Sequence, residues 1–189
     1  MLSLTIALLL LSGPAGAPPV CDWSDGLITA TSVGPLRIGE ATLSLRRRCP
    51  AVRDTLVLVP LFDQVLVDSV RALVATVRGA PVVAFVENGR IGRLTVSNGG
   101  PATADGIAVG ASISRFRSMR GVEIIAGDHT SNVPLTVKSR CGITFLLSAW
   151  GPTRQAADEQ PTRMTAAELR LWPDSIQVTK IIVFGCERR

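Results

Sequence analysis

The segment Gly34-Pro35-Leu36-Arg37-Ile38-Gly39-Glu40-Ala41-Thr42-Leu43-Ser44-Leu45-Arg46 returns later in the chain as Asp105-Gly106-Ile107-Ala108-Val109-Gly110-Ala111-Ser112-Ile113-Ser114-Arg115-Phe116-Arg117. Aligned on Gly39 and Gly110, the two copies match Ile38 with Val109, Leu45 with Phe116 and Arg46 with Arg117. In each copy an apolar residue and a glycine precede a small hydroxyl residue and a short helix-like stretch. Glycine permits a tight turn, and Thr42 or Ser112 is placed to cap the adjoining helix. A chain built on such a repeat is expected to fold as two similar halves.

Downstream of each copy the chain reads as β-structure. Leu73 to Arg78, Val82 to Glu87 and Ile91 to Ser97 are short runs rich in β-branched residues. Asn88-Gly89 between the last two is a strong hairpin signal, because both residues tolerate positive φ. Thr55 to Val59 is strand-like, whereas Asp63 to Arg71 fits a strand or a short helix. In the second half the strand candidates are Val122 to Ala126, Leu135 to Lys138, Ile143 to Leu147 and Ile176 to Phe184. Residues 151–163 read as a polar loop. Thr165-Ala166-Ala167-Glu168 forms a capping box, with Met164 and Leu169 placed as a hydrophobic staple, and Pro173 ends the helix it starts. The expected fold is α+β: two related helix plus antiparallel β-meander units in tandem, residues 18–101 and 102–189, stapled by disulfides.

Residues 1–17 have the outline of a secretory signal peptide. An apolar run, Met1 to Leu11, is followed by Ser12-Gly13-Pro14 and the small-x-small site Ala15-Gly16-Ala17. That run is too short for a transmembrane helix, which needs roughly 20 apolar residues. The remaining chain carries four cysteines, Cys21, Cys49, Cys141 and Cys186. In an exported chain an even number reads as disulfides, and four cysteines allow three pairings. Cys21–Cys49 with Cys141–Cys186 is favoured, since each would tie parts of one half. There is no CxxC and no pair at zinc-ligand spacing. The expected location is periplasmic or secreted, with no membrane anchor once the signal is cleaved.

The net charge of +5 rests almost wholly on arginine; Lys138 and Lys180 are the lysines. Nucleic acid is not expected as a partner. The chain reads as exported, it has no tyrosine, and its five Phe and three Trp are not interleaved with the basic residues as stacking platforms would be. Arg46-Arg47-Arg48 is the dense basic cluster. It would suit an acidic partner or anionic headgroup, but it is better read as meeting the negative end of a short helix. His129, the single histidine, neighbours Asp128 in a loop-like stretch. With Asp105 these residues make the one combination from which a non-standard hydrolase site could be drawn. Asp105 is otherwise a turn residue before Gly106. No P-loop, dinucleotide fingerprint, EF-hand or metalloprotease motif is present, and no cofactor or metal is expected. Trp23, Trp150 and Trp172 are read as packing residues.

The segment Thr103-Ala104-Asp105-Gly106-Ile107-Ala108-Val109-Gly110 resembles a T-A-D-G-x-x-V-G element of uncharacterised secreted bacterial proteins, as do Gly142-Ile143-Thr144-Phe145 and the terminal Gly185-Cys186. In layout, a repeated helix plus β-meander unit also looks like the tandem β-lactamase-inhibitor-type proteins and the outer-membrane assembly lipoproteins of the BamE type. That resemblance implies a module that binds other proteins. It departs from the former in lacking tyrosine and from the latter in lacking a lipobox before Cys21. The functional expectation is an exported, non-enzymatic protein-binding module whose partner is another envelope or secreted protein. An envelope hydrolase using Asp105, Asp128 and His129 is the alternative.

Overall fold

Runs of β-branched residues broken by two-residue turns dominate the chain, and strands are what they form. The computed structural model describes residues 21–60, 67–125, 132–148, 163–164 and 168–186. The leader at 1–17, the Asp128-His129 pair, Trp150 and most of the 151–163 loop lie outside these. The first half holds β1 (Leu27–Ile28), β2 (Ser32–Val33), β3 (Leu36–Arg37), α1 (Thr42–Arg48), β4 (Arg53–Pro60), β5 (Val67–Val77), β6 (Ala80–Glu87) and β7 (Arg90–Val96). The second holds β8 (Ala102–Thr103), β9 (Val122–Ile125), β10 (Asn132–Val137), β11 (Ile143–Ser148), β12 (Arg163–Met164) and β13 (Val178–Val183). Single turns of 3-10 helix occupy Ile113–Phe116 and Glu168–Leu171.

The α+β expectation is corrected: the fold is mostly β. Among the described residues α1 is the one α-helix, and it is seven residues long. The segment matched to it shrinks to the four-residue turn Ile113–Phe116. Ser112 does cap this turn: its Oγ accepts from Ser114 N at 3.2 Å and lies 3.0 Å from Ser114 Oγ. What shortens it is the chain that follows, which enters β9 at Val122 through Gly121, at φ +68°. Of the helix anticipated after Thr165, the described part, Glu168–Leu171, is a 3-10 turn; residues 165–167 lie outside the described set. Nor do the meanders stand as separate units in tandem. β7 pairs with β13, and nine of the described strands form a single antiparallel sheet in the order β12-β9-β10-β11-β13-β7-β6-β5-β4. A small sheet, β3-β2-β1-β8, crosses between the halves too, through the parallel pair Leu27↔Ala102 and Ile28↔Thr103.

The large sheet has an internal pseudo-twofold axis. At the joint Thr95 faces Ile182, flanked by Leu94↔Val183 and Val96↔Ile181. Outward from it, matching strands keep matching registers. Phe85↔Arg93 precedes a bulge and then Val86↔Ile91; Leu146↔Lys180 precedes a bulge and then Leu147↔Val178. The segments aligned on Gly39 and Gly110 dock alike. Gly39 N–H donates to Ile91 O at 2.7 Å and Gly110 N–H to Val178 O at 2.8 Å, while Ile91 N–H and Val178 N–H return bonds to Glu40 O and Ala111 O. Both glycines have positive φ, +81° and +91°. The two arms differ in helix length but share one way of clipping onto the sheet.

One face of the large sheet carries the core. Val82, Ala84, Leu94, Val96, Leu135, Phe145, Ile181 and Val183 are buried there beneath Leu45 of α1, Ile113 and Phe116 of the first 3-10 turn, and Leu169 and Trp172 near the second. Phe116 meets Phe145 edge-to-face, with ring centroids 5.0 Å apart, a preferred aromatic geometry. Cystines tie the rim: Cys21 pairs with Cys49 and Cys141 with Cys186, at Cα separations of 5.4 and 5.3 Å. Beside the second, a Cβ on Gly142 would lie 2.6 Å from Gly185 C and 2.8 Å from Ala30 O, so only glycine admits this crossing of chains.

Candidate functional site

Most residues singled out in the sequence are tied into the framework. Arg48 forks onto both carboxylate oxygens of Glu40 and donates to Pro35 O at 2.8 Å. Arg46 pairs with the Asp54 carboxylate at the start of β4. Arg47 is exposed and makes no ion pair among the described residues. The basic cluster is thus two structural arginines and one solvated one. Asp105 is the hub of a small network. Thr103 Oγ1 donates to its carboxylate at 2.5 Å, Arg140 forms an ion pair with it, and Arg115 donates to its carbonyl at 3.0 Å. Burial tends to raise its pKa, but the bonds from Thr103 and Arg140 outweigh that and hold it below the usual carboxylate value. Arg140 adjoins Cys141, so the network fastens the turn after β8 to the β10–β11 connection. Asp128 and His129 lie outside the described residues, so Asp105 is the one member of that trio whose surroundings are seen. Trp172 is buried and Trp23 packs against the core.

Sequence patterning alone overlooked the sheet's second face. Register places Arg53, Val74, Val83, Thr95, Ile182, Thr144, Thr136 and Glu123 in one row across eight strands. The pseudo-axis passes through its middle. Thr95 is buried in this row, Arg53 is exposed, and the other six are half-buried. A neighbouring row carries Thr55, Ala72, Phe85 and Arg93. There the Arg93 guanidinium lies 3.8 Å from the Phe85 ring centroid, a cation–π stack. Burial lowers the Arg93 pKa, with nearby Glu87 opposing, and its Nε has no hydrogen-bond partner among the described residues. Lys180 holds the matching position in the other half. The clue in the sequence was the near-continuous apolar run Val82 to Val86, which lacks the polar alternation of a strand with one watered face.

Chemically, this face offers small β-branched and hydroxyl side chains, with Arg93 in one half and Lys180 at the matching place in the other. Among the described residues no three of His, Cys, Asp and Glu gather as a metal-ligating group. No described helix is long and apolar enough to cross a membrane. A shallow hollow lies at the far edge of the sheet, lined by Asp54, Thr55, Leu56 and Arg71.

A mostly antiparallel β-protein with one sheet face covered by a second layer and the other partly buried is the class these observations define. Among solved structures it is similar to that titled the uncharacterized protein yfeY from Escherichia coli, at 17% identity and a TM-score of 0.52, over 84% of this chain and 99% of that one. At that identity the likeness speaks for the fold alone. No family model matches the chain, and no curated protein does.

Proposed function

We propose that this chain is an exported, non-enzymatic binding protein of the bacterial envelope or exterior, and that it holds another exported protein against the open face of its large sheet. The row from Arg53 to Glu123 carries this proposal. On the opposite face the matching positions Ala84, Leu94, Phe145 and Ile181 are sealed by a second layer, whereas Val74, Val83, Ile182 and Thr144 are left half-buried around the buried Ala72, Phe85 and Thr95. Broad sheet faces with apolar and hydroxyl side chains suit protein partners, whose interfaces take about 800 Å² from each side. The cystines and the leader-like residues 1–17 support a periplasmic or secreted location. The matched registers and bulges favour descent of the two meanders from one duplicated unit.

A photo-crosslinking residue placed at Val83 or Thr144 should capture the same protein from a native envelope extract, and Ile182→Arg should abolish that capture. Equal capture from a residue at exposed Leu171, on the opposite layer, would remove the open face from consideration. Cell fractionation with N-terminal mass determination checks location: the exported chain is expected to begin at residue 18.

A further inference from the structure

We infer that the outer edge of β4 is a self-association site, where a second copy of this chain adds its own β4 antiparallel to extend the large sheet. β4 is the terminal strand on its side, and its outward edge has no partner among the described residues. It runs in unbroken register with β5 from Arg53↔Val74 to Pro60↔Val67. Sheet edges are ordinarily blunted by charged side chains (lysine above all), prolines, bulges or very short strands. This strand is eight residues long with no lysine and no bulge; its charges, Arg53 and Asp54, stand at its start and its proline at its end, so its middle carries no such guard. It also exposes Leu56 and Leu58 at 68% and 70%.

The chain's own second half shows what such an edge receives. By register β9 is the counterpart of β4: Ile124, Leu135, Phe145 and Ile181 align as Asp54, Leu73, Ala84 and Leu94 do. There the outer edge is covered by β12, which pairs antiparallel with Ile124 and Ile125. At the equivalent Asp54 and Thr55 no strand is paired on the outer side among the described residues. The occupant called for is therefore an extended antiparallel strand.

A second copy fits because Leu56-Val57-Leu58 is its own complement. With a twofold axis at Val57, Leu56 of each copy stands opposite Leu58 of the other, on the same sheet face. Arg53 and Asp54 fall beyond the leucines, so neither faces its own symmetry mate and no like charges meet. The sheet already joins its halves in this way, edge to edge and antiparallel about Thr95 and Ile182.

Sedimentation equilibrium of the oxidised exported chain tests this. A dimer is expected. Leu58→Lys, at an exposed position, should weaken it about tenfold or more, a step of only about 1.4 kcal/mol, without altering the far-ultraviolet circular dichroism. Val57→Cys should form an intermolecular disulfide across the axis, while Leu43→Cys on α1 should not. A chain that stays monomeric at every concentration overturns the proposal, as does a dimer indifferent to Leu58→Lys or one that Val57→Cys fails to crosslink. A monomer that binds anionic vesicles through Leu56 and Leu58 would assign the edge to lipid, and equally overturns it.

Discussion

Asp105 and Ser112 illustrate how polar residues of a kind used in catalysis serve here as fasteners. Asp105 accepts from Thr103 and pairs with Arg140, its side chain 35% exposed and that of the arginine 24%. Solvent screens a pair this open, so its worth is about 1 kcal/mol. The sign of its pH dependence comes from the direction of the shift. A carboxylate whose folded pKa is depressed adds stability above its unfolded value, near 4, and loses it as pH falls through the folded value. Asp105→Asn is therefore expected to lower unfolding stability by about 1 kcal/mol at neutral pH, and the gap to wild type should close as pH drops well below the ordinary carboxylate range. Urea titrations of both proteins at pH 7 and pH 3 would check this, and a gap undiminished in acid would rule out charge as its cause. Ser112 bonds to Ser114 N and donates from its Oγ to Asp174 O at 2.9 Å, so it joins a turn cap to the approach to β13.

At the level of elements, the copies aligned on Gly39 and Gly110 took different helical forms. α1 has no side-chain N-cap and no acidic residue in its first turn, so local preference does little to start it. It is held by Leu45, which is fully buried, by the Arg48–Glu40 pair and by the cystine at Cys49. Packing maintains this helix, and Leu45→Ala should cost about 2–4 kcal/mol. The cap at the Ile113–Phe116 turn is worth about 1 kcal/mol, so Ser112→Ala should cost clearly less. Chemical denaturation of the two variants would show whether that order holds. The same contrast explains what was legible in the sequence. Asn88-Gly89 announced its hairpin, and Asn88 has φ +50°; strands Val82 to Glu87 and Ile143 to Leu147 were visible as β-branched runs. The Arg78-Gly79 turn was not, because an arginine at φ +46° carries no turn signal and is held by its backbone bond to Trp23 O. Helical form was misjudged where a capped start at Ser112 is followed by only a single turn before the chain bends into β9. The open sheet face was hidden for another reason: which strands become neighbours across the β7–β13 joint is a long-range outcome that no local pattern records.

On the scale of the whole molecule, the joint between β7 and β13 decides how the chain should unfold. Two meanders in tandem, each with its own cystine, would melt independently. Here the halves share the Thr95–Ile182 joint, the parallel β1–β8 contact and one core cluster reaching from Val33 and Leu45 to Phe145 and Val183. Neither half can open without exposing apolar surface of the other, so one cooperative transition is expected, with calorimetric and van't Hoff enthalpies agreeing. Each cystine restrains the unfolded chain, across sequence separations of 28 and 45 residues, and its loss should cost about 2–5 kcal/mol. For a chain of this size that lowers the midpoint by roughly 5–15 °C. The pairs Cys21→Ser with Cys49→Ser and Cys141→Ser with Cys186→Ser should each shift the same single peak in scanning calorimetry, because either staple acts on the one folding unit. If each pair instead moved its own separate transition, the continuous sheet would have to be abandoned as the unit of stability.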